Sequence, residues 1–456
     1  MIATQLSEMA RWAEGALISG VPSVEVSRIS TDTRSVQKGD AFLALRGDNF
    51  NGHDFVGKAV EAGAETVILS ELPGETESFP GNIIHVRNTL KAFQSIALNY
   101  RRRVISDVFA VGVTGSNGKT STKDFLNAVL SRTGKVNATK GNLNNHIGLP
   151  MTVLETEAQH QFGIWEMGMN HPGEIGPLAE IAAPDAAVVT NVGTAHIEHM
   201  KTREAIADEK AALPRAVPAG GFCVMPEQDD FYEHVKSQLH CEMIGVGGPS
   251  SAIRAEEITM GAKGVSYRLL IHDQSASVSL PVPGRHMVMN SLLAAAVGFR
   301  RGISIEEIAA GLSATELTGG RLEQLEWNGI SILNDSYNAN PDSMKAAISS
   351  LMESPGQGRK IVALGFMGEL GDHEESGHND VGVFAAENGV DLLVTVSEKA
   401  ALIATGAAGK ISSENFESHE AAASYLKGEL APGDTLLVKG SRAARMETVI
   451  ELLKTN

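Results

Sequence analysis

Cysteine is scarce in this chain of 456 residues, which contains only Cys223 and Cys241. Two cysteines with no CxxC pair and no paired histidines exclude a disulfide scaffold and argue against a structural zinc site, as in proteins of a reducing cytosol. The sequence also lacks a hydrophobic run that could span a bilayer, since residues 290–299, the nearest to one, are too few. Its first residues show no basic region followed by an apolar segment, which argues against a signal peptide. We therefore expect a cytoplasmic protein that is not an integral membrane protein.

Basic residues are few relative to acidic ones, 38 against 55, which gives a net charge of −17 with histidine neutral. Nucleic acids and anionic membranes would repel such a chain, so we expect no nucleic-acid partner. Hydrophobic residues make up 43% of the sequence and charged residues 20%, a balance that argues against global disorder. The length fits about three domains, and the 47 glycines suit an α/β enzyme with many tight turns.

The order of apolar runs predicts an α/β fold of three domains. Residues 1–86 mix short strand-like runs with turns, and residues 88–103 are typical of a connecting helix. From residue 107, apolar strands alternate with helical stretches, as in a parallel sheet, and residues 253–281 indicate a small antiparallel addition. A second, doubly wound sheet follows, with its last helix predicted at residues 441–453. The predicted domains are an N-terminal mixed α/β domain at residues 1–86, a central P-loop ATPase domain with a parallel sheet at residues 87–322, and a C-terminal Rossmann-like domain at residues 323–456.

The strongest chemical signal is the segment Gly112-Val-Thr-Gly-Ser-Asn-Gly-Lys-Thr120, between an apolar strand and a predicted helix at residues 119–130. Its glycines let successive backbone N–H groups turn toward phosphate oxygens, and the N-terminus of the helix adds positive potential. Lys119 can reach the β- and γ-phosphates, and the Thr120 hydroxyl can bind Mg²⁺. The strict GxxxxGK[ST] spacing is absent because Val113 stands where glycine is required, so a glycine-rich turn with an incidental lysine is the alternative. The segment predicts a nucleotide site.

Three more residues of the central segment are candidates. Glu166 ends an apolar strand, where a carboxylate could hold Mg²⁺ or face solvent. His196, at the end of Thr190-Asn-Val-Gly-Thr-Ala-His196, could bind a metal or a substrate, although a lone histidine is more often structural. Lys210 stands among acidic residues in Asp208-Glu-Lys-Ala-Ala-Leu, and from this pattern alone we expect a solvated helix lysine.

A crowd of polar residues opens the third domain at Asn334-Asp-Ser-Tyr-Asn-Ala-Asn-Pro341. The segment leaves an apolar strand and ends in a helix start, which predicts a second ligand-facing edge. Asparagine and aspartate also favour turns for backbone reasons alone, so an Asx-rich turn is the alternative. Arg321, just before this domain, could contact a phosphate or be an ordinary boundary arginine.

Together these motifs resemble the Mur ligase family of ATP-dependent amide-bond-forming enzymes. Within that family the sequence is most similar to the branch that joins D-alanyl-D-alanine to UDP-N-acetylmuramoyl-tripeptide. Residues 364–371 resemble the family's Gly-Asp-Met-x-Glu-Leu-Gly pattern but carry Phe366 where aspartate is usual, and the Asp-Asn-Pro-Arg signature of the diaminopimelate-adding enzyme is absent. The segments that carry the resemblance are the glycine-rich loop, the Glu166 strand end, residues 190–196, the acidic Lys210 segment, Gly284-Arg-His-Met-Val-Met-Asn290, Gly319-Gly-Arg321, Asp335-Ser-Tyr-Asn-Ala-Asn-Pro341, Ser30-Thr-Asp-Thr-Arg34, Thr139-Lys-Gly-Asn-Leu-Asn-Asn-His-Ile-Gly-Leu-Pro150 and Lys439-Gly-Ser-Arg442.

The resemblance implies ATP, two Mg²⁺ ions and CO₂ as cofactors, the last as a carbamate on Lys210 that would bind metal as an anion. It implies that the N-terminal domain binds the UDP-sugar and the C-terminal domain the incoming amine. The implied catalytic residues are Lys119, Lys210 and His196, and the implied metal ligands are Thr120, Glu166, His196 and Lys210. The implied ATP contacts are Gly115, Ser116, Asn117, Gly118, Lys119, Thr120, Asn290, Arg321, Asp335 and Asn338. The implied acceptor contacts are Ser30, Thr31 and Arg34 for the UDP-sugar, and Asn142, Asn144 and Asn145 for the peptide end.

The implied reaction transfers the γ-phosphoryl group of ATP to the terminal carboxylate of the tripeptide and forms an acyl phosphate. The amine of D-alanyl-D-alanine then attacks the acyl carbon and phosphate leaves. Lys119 and the metal ions would offset the repulsion between the anionic groups. Because water hydrolyses an acyl phosphate, we expect the C-terminal domain to close over the site, and we expect the chain to act as a monomer.

Three other functions remain as alternatives. A sister ligase, such as folylpolyglutamate synthetase or another Mur enzyme, would share the central domain and differ in the amine it accepts. A P-loop switch or regulatory ATPase would hydrolyse ATP without an amine and would leave the polar edge of the third domain unexplained. A dehydrogenase is disfavoured because no GxGxxG follows the first strand of the third domain.

Overall fold

A computed structural model describes residues 1–47, 50–72, 81–261 and 264–455. The chain divides into two compact units by its internal contacts. The first unit comprises residues 1–112, 134–168 and 174–185, and the second comprises residues 113–133, 169–173 and the described residues from 186 onward. Among the helices of these described ranges, none combines the length and the apolar character that a membrane span requires.

The first unit opens with a five-stranded sheet in the order β2-β7-β6-β5-β4, in which β4 to β7 run parallel and β2 is antiparallel to β7. A short antiparallel pair, β1 and β3, lies beside it in sequence. The strands are β1 (Thr4–Gln5), β2 (Ala16–Ser19), β3 (Glu25–Val26), β4 (Ile29–Ser30), β5 (Ala41–Leu43), β6 (Thr66–Leu69) and β7 (Asn82–His85), with helices α1 (Leu6–Trp12) and α2 (Val56–Glu61) and a 3₁₀ turn at Gly52–Phe55. The predicted mixture of short strands and turns is confirmed.

Helix α3 (Thr89–Arg103) begins where the sequence predicts it, with Asn88 as its N-cap. It packs against α5 (Gly148–Leu154) and α6 (Ile175–Ala182) within the first unit. Arg101, near its end, is only 4% exposed; its guanidinium donates to the Ala182 carbonyl at 2.9 Å. The helix is therefore part of a buried core rather than a plain connector. The remaining strands of this unit, β9 (Lys135–Ala138) and β10 (His160–Glu166), pair in parallel, and β8 (Phe109–Thr114) starts in this unit and ends in the second.

The second unit contains a parallel ladder of four strands, β11 to β14, extended by antiparallel strands β15 and β16. This confirms both the parallel sheet and the antiparallel addition. Helix α4 packs against α10 and α11. The bounds are α4 (Lys119–Leu130), β11 (Ala186–Val189), α7 (Ile197–Met200), α8 (Arg203–Arg215), β12 (Phe222–Pro226), α9 (Tyr232–Lys236), β13 (Glu242–Val246), β14 (Ile253–Gly261), β15 (Gly264–Ile271), β16 (Gln274–Leu280), α10 (Arg285–Arg300) and α11 (Ile305–Ser313).

The same unit holds a six-stranded sheet in the order β17-β18-β22-β19-β20-β21, parallel except for the edge strand β17. Helices follow most strands, so the predicted doubly wound sheet is confirmed. The predicted start of the last helix at residue 441 is wrong: a 3₁₀ turn at Arg442–Ala444 and a left-handed Arg445 (φ 47°) delay it to Glu447. The bounds are β17 (Glu323–Trp327), β18 (Ile330–Asp335), α12 (Pro341–Glu353), β19 (Lys360–Gly365), a 3₁₀ turn (Gly371–His373), α13 (Glu374–Glu387), β20 (Leu392–Val396), α14 (Ala401–Ala407), β21 (Ser412–Phe416), α15 (His419–Glu429), β22 (Thr435–Lys439) and α16 (Glu447–Lys454).

Candidate active site

The glycine-rich loop joins the end of β8 to the start of α4, as the sequence predicts. Gly115 and Gly118 take φ values of 148° and 79°, a region in which a side chain is strained. A Cβ on Gly115 would lie 1.8 Å from the Thr190 hydroxyl oxygen, so glycine is required there for packing as well as conformation. The Lys119 ammonium donates to the Gly115 carbonyl at 2.8 Å and thus bends back across the loop. This is a concave backbone at a helix N-terminus, the arrangement that binds phosphate.

Residues 190–193, which follow β11, are hydrogen-bonded to the glycine-rich loop. The N–H groups of Ser116 and Asn117 donate to the carbonyl and side-chain oxygens of Asn191, both at 3.0 Å. The Thr190 hydroxyl donates to the Asn117 carbonyl, and the Gly193 N–H donates to the Ser116 hydroxyl at 2.9 Å. Hydrogen bonds therefore join the glycine-rich loop and residues 190–193, two segments that the sequence marked separately, into one continuous surface.

His196 ends that second segment and begins α7 in a left-handed conformation, with φ of 63°. Its Nδ1 is hydrogen-bonded to a carboxylate oxygen of Glu369, from the loop after β19. The hydrogen bond from His196 lowers the pKa of the Glu369 carboxyl. The other ring nitrogen of His196, Nε2, forms no hydrogen bond within the described part of the chain. Sequence reasoning did not assign Glu369, because 173 residues separate it from His196.

Lys210 lies on α8 and is 1% exposed, so the expectation of a solvated helix lysine is wrong. Burial lowers the pKa of the Lys210 amine well below its usual range, and the Lys119 ammonium lowers it further. Its buried neighbours Ile206 and Leu213 stand four residues before it and three after it on the same helix face, which packs toward β11. The spacing of Ile206 and Leu213 around Lys210 is the sequence signal from which its burial could have been predicted. A lowered pKa favours the neutral amine, which is the form that reacts with CO₂, so this residue fits the implied carbamate.

Two predicted ATP contacts, Arg321 and Asn290, lie against the glycine-rich loop. The Arg321 guanidinium donates to the Thr120 hydroxyl at 2.8 Å and lies 4.3 Å from the centre of the Tyr337 ring. Asn290 is 5% exposed and packs against Gly118, where a Cβ would come within 2.7 Å of its amide oxygen. The structure thus brings Arg321 and Asn290 to the nucleotide loop.

Asp335 and Asn338 lie at the carboxyl ends of the C-terminal strands and contact Lys439. The Lys439 ammonium is buried; it donates to the Asp335 carboxylate at 2.6 Å and to the Asn338 carbonyl at 2.8 Å. The Asn338 side chain is exposed. Lys439 belongs to the segment Lys439-Gly-Ser-Arg442, which the sequence singled out without a role for the lysine; here it anchors the polar edge that opens this sheet.

Two residues near the start of α12 were not assigned from the sequence. The Asn340 amide donates to the Asn117 side-chain oxygen at 2.8 Å and also caps α12. The Asp342 carboxylate accepts hydrogen bonds from the backbone N–H and the hydroxyl of Thr194, at 2.8 and 2.9 Å. Both residues belong to a helix-start pattern. Capping of α12 was sufficient to explain their presence in the sequence, so their long-range contacts were not predicted.

Glu166 is 2% exposed at the end of β10, so the alternative of a solvent-facing acid is wrong. The Asn144 amide donates to its carboxylate at 2.8 Å, which joins one predicted metal ligand to one predicted acceptor contact within the first unit. Asn145 instead uses its side-chain oxygen to accept the N–H groups of Ile147 and Gly148, and Asn142 is exposed.

The predicted UDP-sugar residues lie at the end of β4 and on the tight turn that follows it. Ser30 is buried, and its hydroxyl donates to the Asp32 carbonyl at 3.0 Å, while Thr31 is half-buried. Arg34 is exposed and donates to the Asp32 carboxylate at 2.6 Å. These hydrogen bonds from Arg34 lower the pKa of the Asp32 carboxyl to about 2. An exposed guanidinium on an ordered turn suits an anionic ligand.

The second unit supplies three candidate donors for magnesium, which are the Thr120 hydroxyl, the His196 imidazole and Lys210 as a carbamate, and the Glu166 carboxylate belongs to the first unit. Among the described residues, no group of three or more histidine, cysteine, aspartate or glutamate side chains is arranged to hold a metal ion. Mg²⁺ with ATP needs no such group, because it keeps several waters and uses one or two protein ligands beside the phosphates. The residues present fit an ion that arrives with its nucleotide.

Sequence models of three domains match the chain: "Mur ligase family, catalytic domain" at residues 25–101, "Mur ligase middle domain" at residues 113–298, and "Mur ligase, glutamate ligase domain" at residues 320–442. The chain belongs to the Mur ligase family. It is 35% identical to the UDP-N-acetylmuramoyl-tripeptide–D-alanyl-D-alanine ligase of Bacillus subtilis, over 99% of this chain and 98% of that protein. The predicted family and the three-domain α/β fold are confirmed.

Solved structures of MurF ligases are similar along the same length. MurF from Acinetobacter baumannii superposes with a TM-score of 0.92 at 32% identity, covering 99% of both chains. MurF from Thermotoga maritima, solved in complex with ADP, gives a TM-score of 0.84 at 27% identity, covering 93% of this chain and 96% of that one. A Mur ligase fold with a phosphate-binding loop therefore accounts for the architecture of the site.

Proposed function

We propose that this Mur ligase joins D-alanyl-D-alanine to UDP-N-acetylmuramoyl-tripeptide at the expense of ATP, giving the pentapeptide precursor of peptidoglycan. The observation that carries the proposal is similarity over nearly the whole chain to ligases of that name, at 35% identity to the Bacillus subtilis enzyme. That similarity extends over 99% of this chain, so the outer segments match as well as the ATPase part. We assign the UDP-sugar to residues 1–86, ATP to residues 87–322 and D-alanyl-D-alanine to residues 323–456.

ATP binds the glycine-rich loop, whose N–H groups face the phosphates. Lys119, now on the Gly115 carbonyl, turns to the β- and γ-phosphates, since an anion is a better partner for an ammonium than a neutral carbonyl. Arg321 is 2.8 Å from the Thr120 hydroxyl and so stands beside the same phosphates. Asn290 packs on Gly118 and holds the loop, and Asp335 and Asn338 contact the nucleotide from the C-terminal sheet.

Magnesium would be held by Thr120, Glu166, His196 and a carbamate on Lys210. When bound, it would neutralise charge on the transferring phosphoryl group. The lowered pKa of the Lys210 amine supports carbamylation, because the neutral amine attacks CO₂, releases a proton and becomes an anionic carbamate. Carbamylation would place an anion beside the Lys119 ammonium, which attracts it.

The acceptor enters with its UDP-sugar on the turn of Ser30, Thr31 and Arg34 and its peptide end near Asn142, Asn144 and Asn145. Its terminal carboxylate attacks the γ-phosphorus of ATP, ADP leaves, and an acyl phosphate forms. The amine of D-alanyl-D-alanine then attacks the acyl carbon, and phosphate departs. Lys119 and Arg321 offset the charge that accumulates on the phosphoryl oxygens.

The test of this function is product formation with each substrate omitted in turn. The purified chain should convert UDP-N-acetylmuramoyl-tripeptide to a product heavier by one D-alanyl-D-alanine residue pair, with one phosphate released for each product. Glutamate and diaminopimelate serve as control amines. Product with glutamate and none with D-alanyl-D-alanine would assign the chain to a sister ligase instead.

A further inference from the structure

The loop that follows β19, residues 366–371, is fixed at several points. The Met367 N–H donates to Nε2 of His378 at 2.9 Å, and the Phe366 carbonyl accepts the Ser441 N–H at 3.0 Å. Met367 and Leu370 are buried, at 0% and 2% exposure, on either side of Glu369. Glu369 therefore projects from a rigid support, and its position is set by the fold of the C-terminal sheet.

Glu369 meets the segment of His196 through both its backbone and its side chain. Its carbonyl accepts the N–H of Glu198 at 3.3 Å, while its carboxylate is hydrogen-bonded to Nδ1 of His196. Both Glu369 and His196 are non-glycine residues in the left-handed region, with φ of 59° and 63°. Such strain persists where the surroundings over-determine it, and it clusters at functional sites.

The polarity of this contact sets the tautomer of His196. A carboxylate accepts hydrogen bonds, so Nδ1 carries the proton, and in the neutral imidazole Nε2 then has the lone pair. This is the form of imidazole that binds metal, and carboxylates commonly hold metal-binding histidines in this way. Stabilisation of the fold is a weaker explanation, because the Glu369 side chain is 44% exposed and ion pairs of that exposure add little.

We propose that Glu369 is a positioning residue, which orients His196 so that its Nε2 can bind the divalent cation that accompanies ATP. The inference rests on the proposed function, in which His196 is a metal ligand. Since Glu369 stands on the C-terminal sheet and His196 follows β11, His196 is presented correctly only when the loop of residues 366–371 is docked. The loop thus couples the position of the C-terminal sheet, which binds the amine, to completion of the metal site.

The test compares Glu369→Ala and Glu369→Gln with a matched control, Glu375→Ala, which removes an exposed carboxylate a few residues away on α13. Mn²⁺ affinity is measured by electron paramagnetic resonance in the presence of ADP, so that turnover is not needed. We expect about 10–100-fold weaker Mn²⁺ binding in Glu369→Ala, because that is the usual effect of losing a partner of a metal-binding histidine. Glu369→Gln, whose amide oxygen still accepts from Nδ1, should lose less, and the control should bind as the parent does.

A second readout follows the His196 ring directly by ¹⁵N NMR, with its signals identified by comparison with His196→Gln. The parent should show the proton on Nδ1, and Glu369→Ala should shift population to the Nε2-protonated tautomer. Unchanged Mn²⁺ affinity with an unchanged tautomer in Glu369→Ala would overturn the proposal. Tighter Mn²⁺ binding in Glu369→Ala would also overturn it, since the carboxylate would then compete with the metal. Failure of the parent to form pentapeptide product would instead refute the proposed function.

Discussion

Replacing Lys210 with methionine tests the most unusual electrostatic feature of the site. The substitution keeps an unbranched side chain in the buried position on α8 and removes an amine that is 1% exposed. Burial and the neighbouring Lys119 lower the pKa of that amine in the folded chain. The unfolded chain therefore binds more protons than the folded chain between the lowered pKa and the ordinary lysine value of about 10.4. Within that window stability must rise as pH rises.

The size of the effect follows from one proton. Its linkage changes the free energy of unfolding by at most about 1.4 kcal/mol per pH unit. Thermal unfolding of the parent and of Lys210→Met, in CO₂-free buffer from about pH 6 to about pH 9, should diverge on acidification. The parent loses stability toward low pH because it must bury a charge or release a proton; the variant lacks this loss.

The exposed Lys201 provides the control, since Lys201→Met should follow the parent at every pH. In the assay of ligase activity, Lys210→Met should be slower by about 100–1,000-fold, as expected when one preorganised electrostatic contact is lost. With ¹³C-bicarbonate, a carbamate signal should appear in the parent and be absent from Lys210→Met. If the stabilities of the parent and Lys210→Met changed with pH in the same way, the pKa of Lys210 would not be lowered in the folded chain.

Three other substitutions have expected outcomes. Gly115→Ala places a Cβ 1.8 Å from the Thr190 hydroxyl at a φ of 148°, so calorimetry should show roughly 5–150-fold weaker binding of an ATP analogue. Asp335→Asn leaves the buried Lys439 ammonium without its carboxylate partner, and chemical denaturation should show a loss of about 3 kcal/mol. Tyr100→Phe removes a hydroxyl that donates to one backbone carbonyl and accepts one backbone N–H, at 2.6 and 2.7 Å, and should cost about 1–3 kcal/mol. Burial raises the pKa of Tyr100 to about 12, so the absorbance change of its phenolate should occur at a higher pH than in an exposed tyrosine.

Each of these substitutions has a matched control in the chain. Gly220→Ala adds a methyl group where nothing lies within 4 Å, and Asp372→Asn changes an exposed carboxylate. Tyr425→Phe removes a hydroxyl from helix α15. Normal binding of the ATP analogue by Gly115→Ala would contradict the packing of the loop, and unchanged stability of Asp335→Asn or Tyr100→Phe would contradict the roles given to those contacts.

Buried strands and capped helices could be predicted from the sequence because burial on both faces leaves continuous apolar runs. The helix at Lys119–Leu130 and the strand at Lys360–Gly365 appear where the pattern indicates them. Edge strands carry no such run: β21 has the sequence Ser-Ser-Glu-Asn-Phe, and it was not predicted. Its partner β20 supplies the pairing that its own residues do not signal.

The candidate site divides in the same way. The glycine-rich loop signals itself because its chemistry depends on consecutive residues. Lys210 was misjudged because Asp208 and Glu209, which flank it, suggest a solvated face, whereas the helix turns the lysine inward with Ile206. The contact between His196 and Glu369 could not be predicted, because it exists only after two sheets have folded and their loops have met.

The central claim is that phosphate release depends on both the acceptor and the amine. The most direct measurement follows phosphate release by the purified chain with Mg-ATP and UDP-N-acetylmuramoyl-tripeptide, with and without D-alanyl-D-alanine, and with glutamate as the control amine. We expect release only when the tripeptide and D-alanyl-D-alanine are both present, together with a product heavier by that dipeptide. Release that is indifferent to the amine would contradict the ligase assignment and leave a bare ATPase.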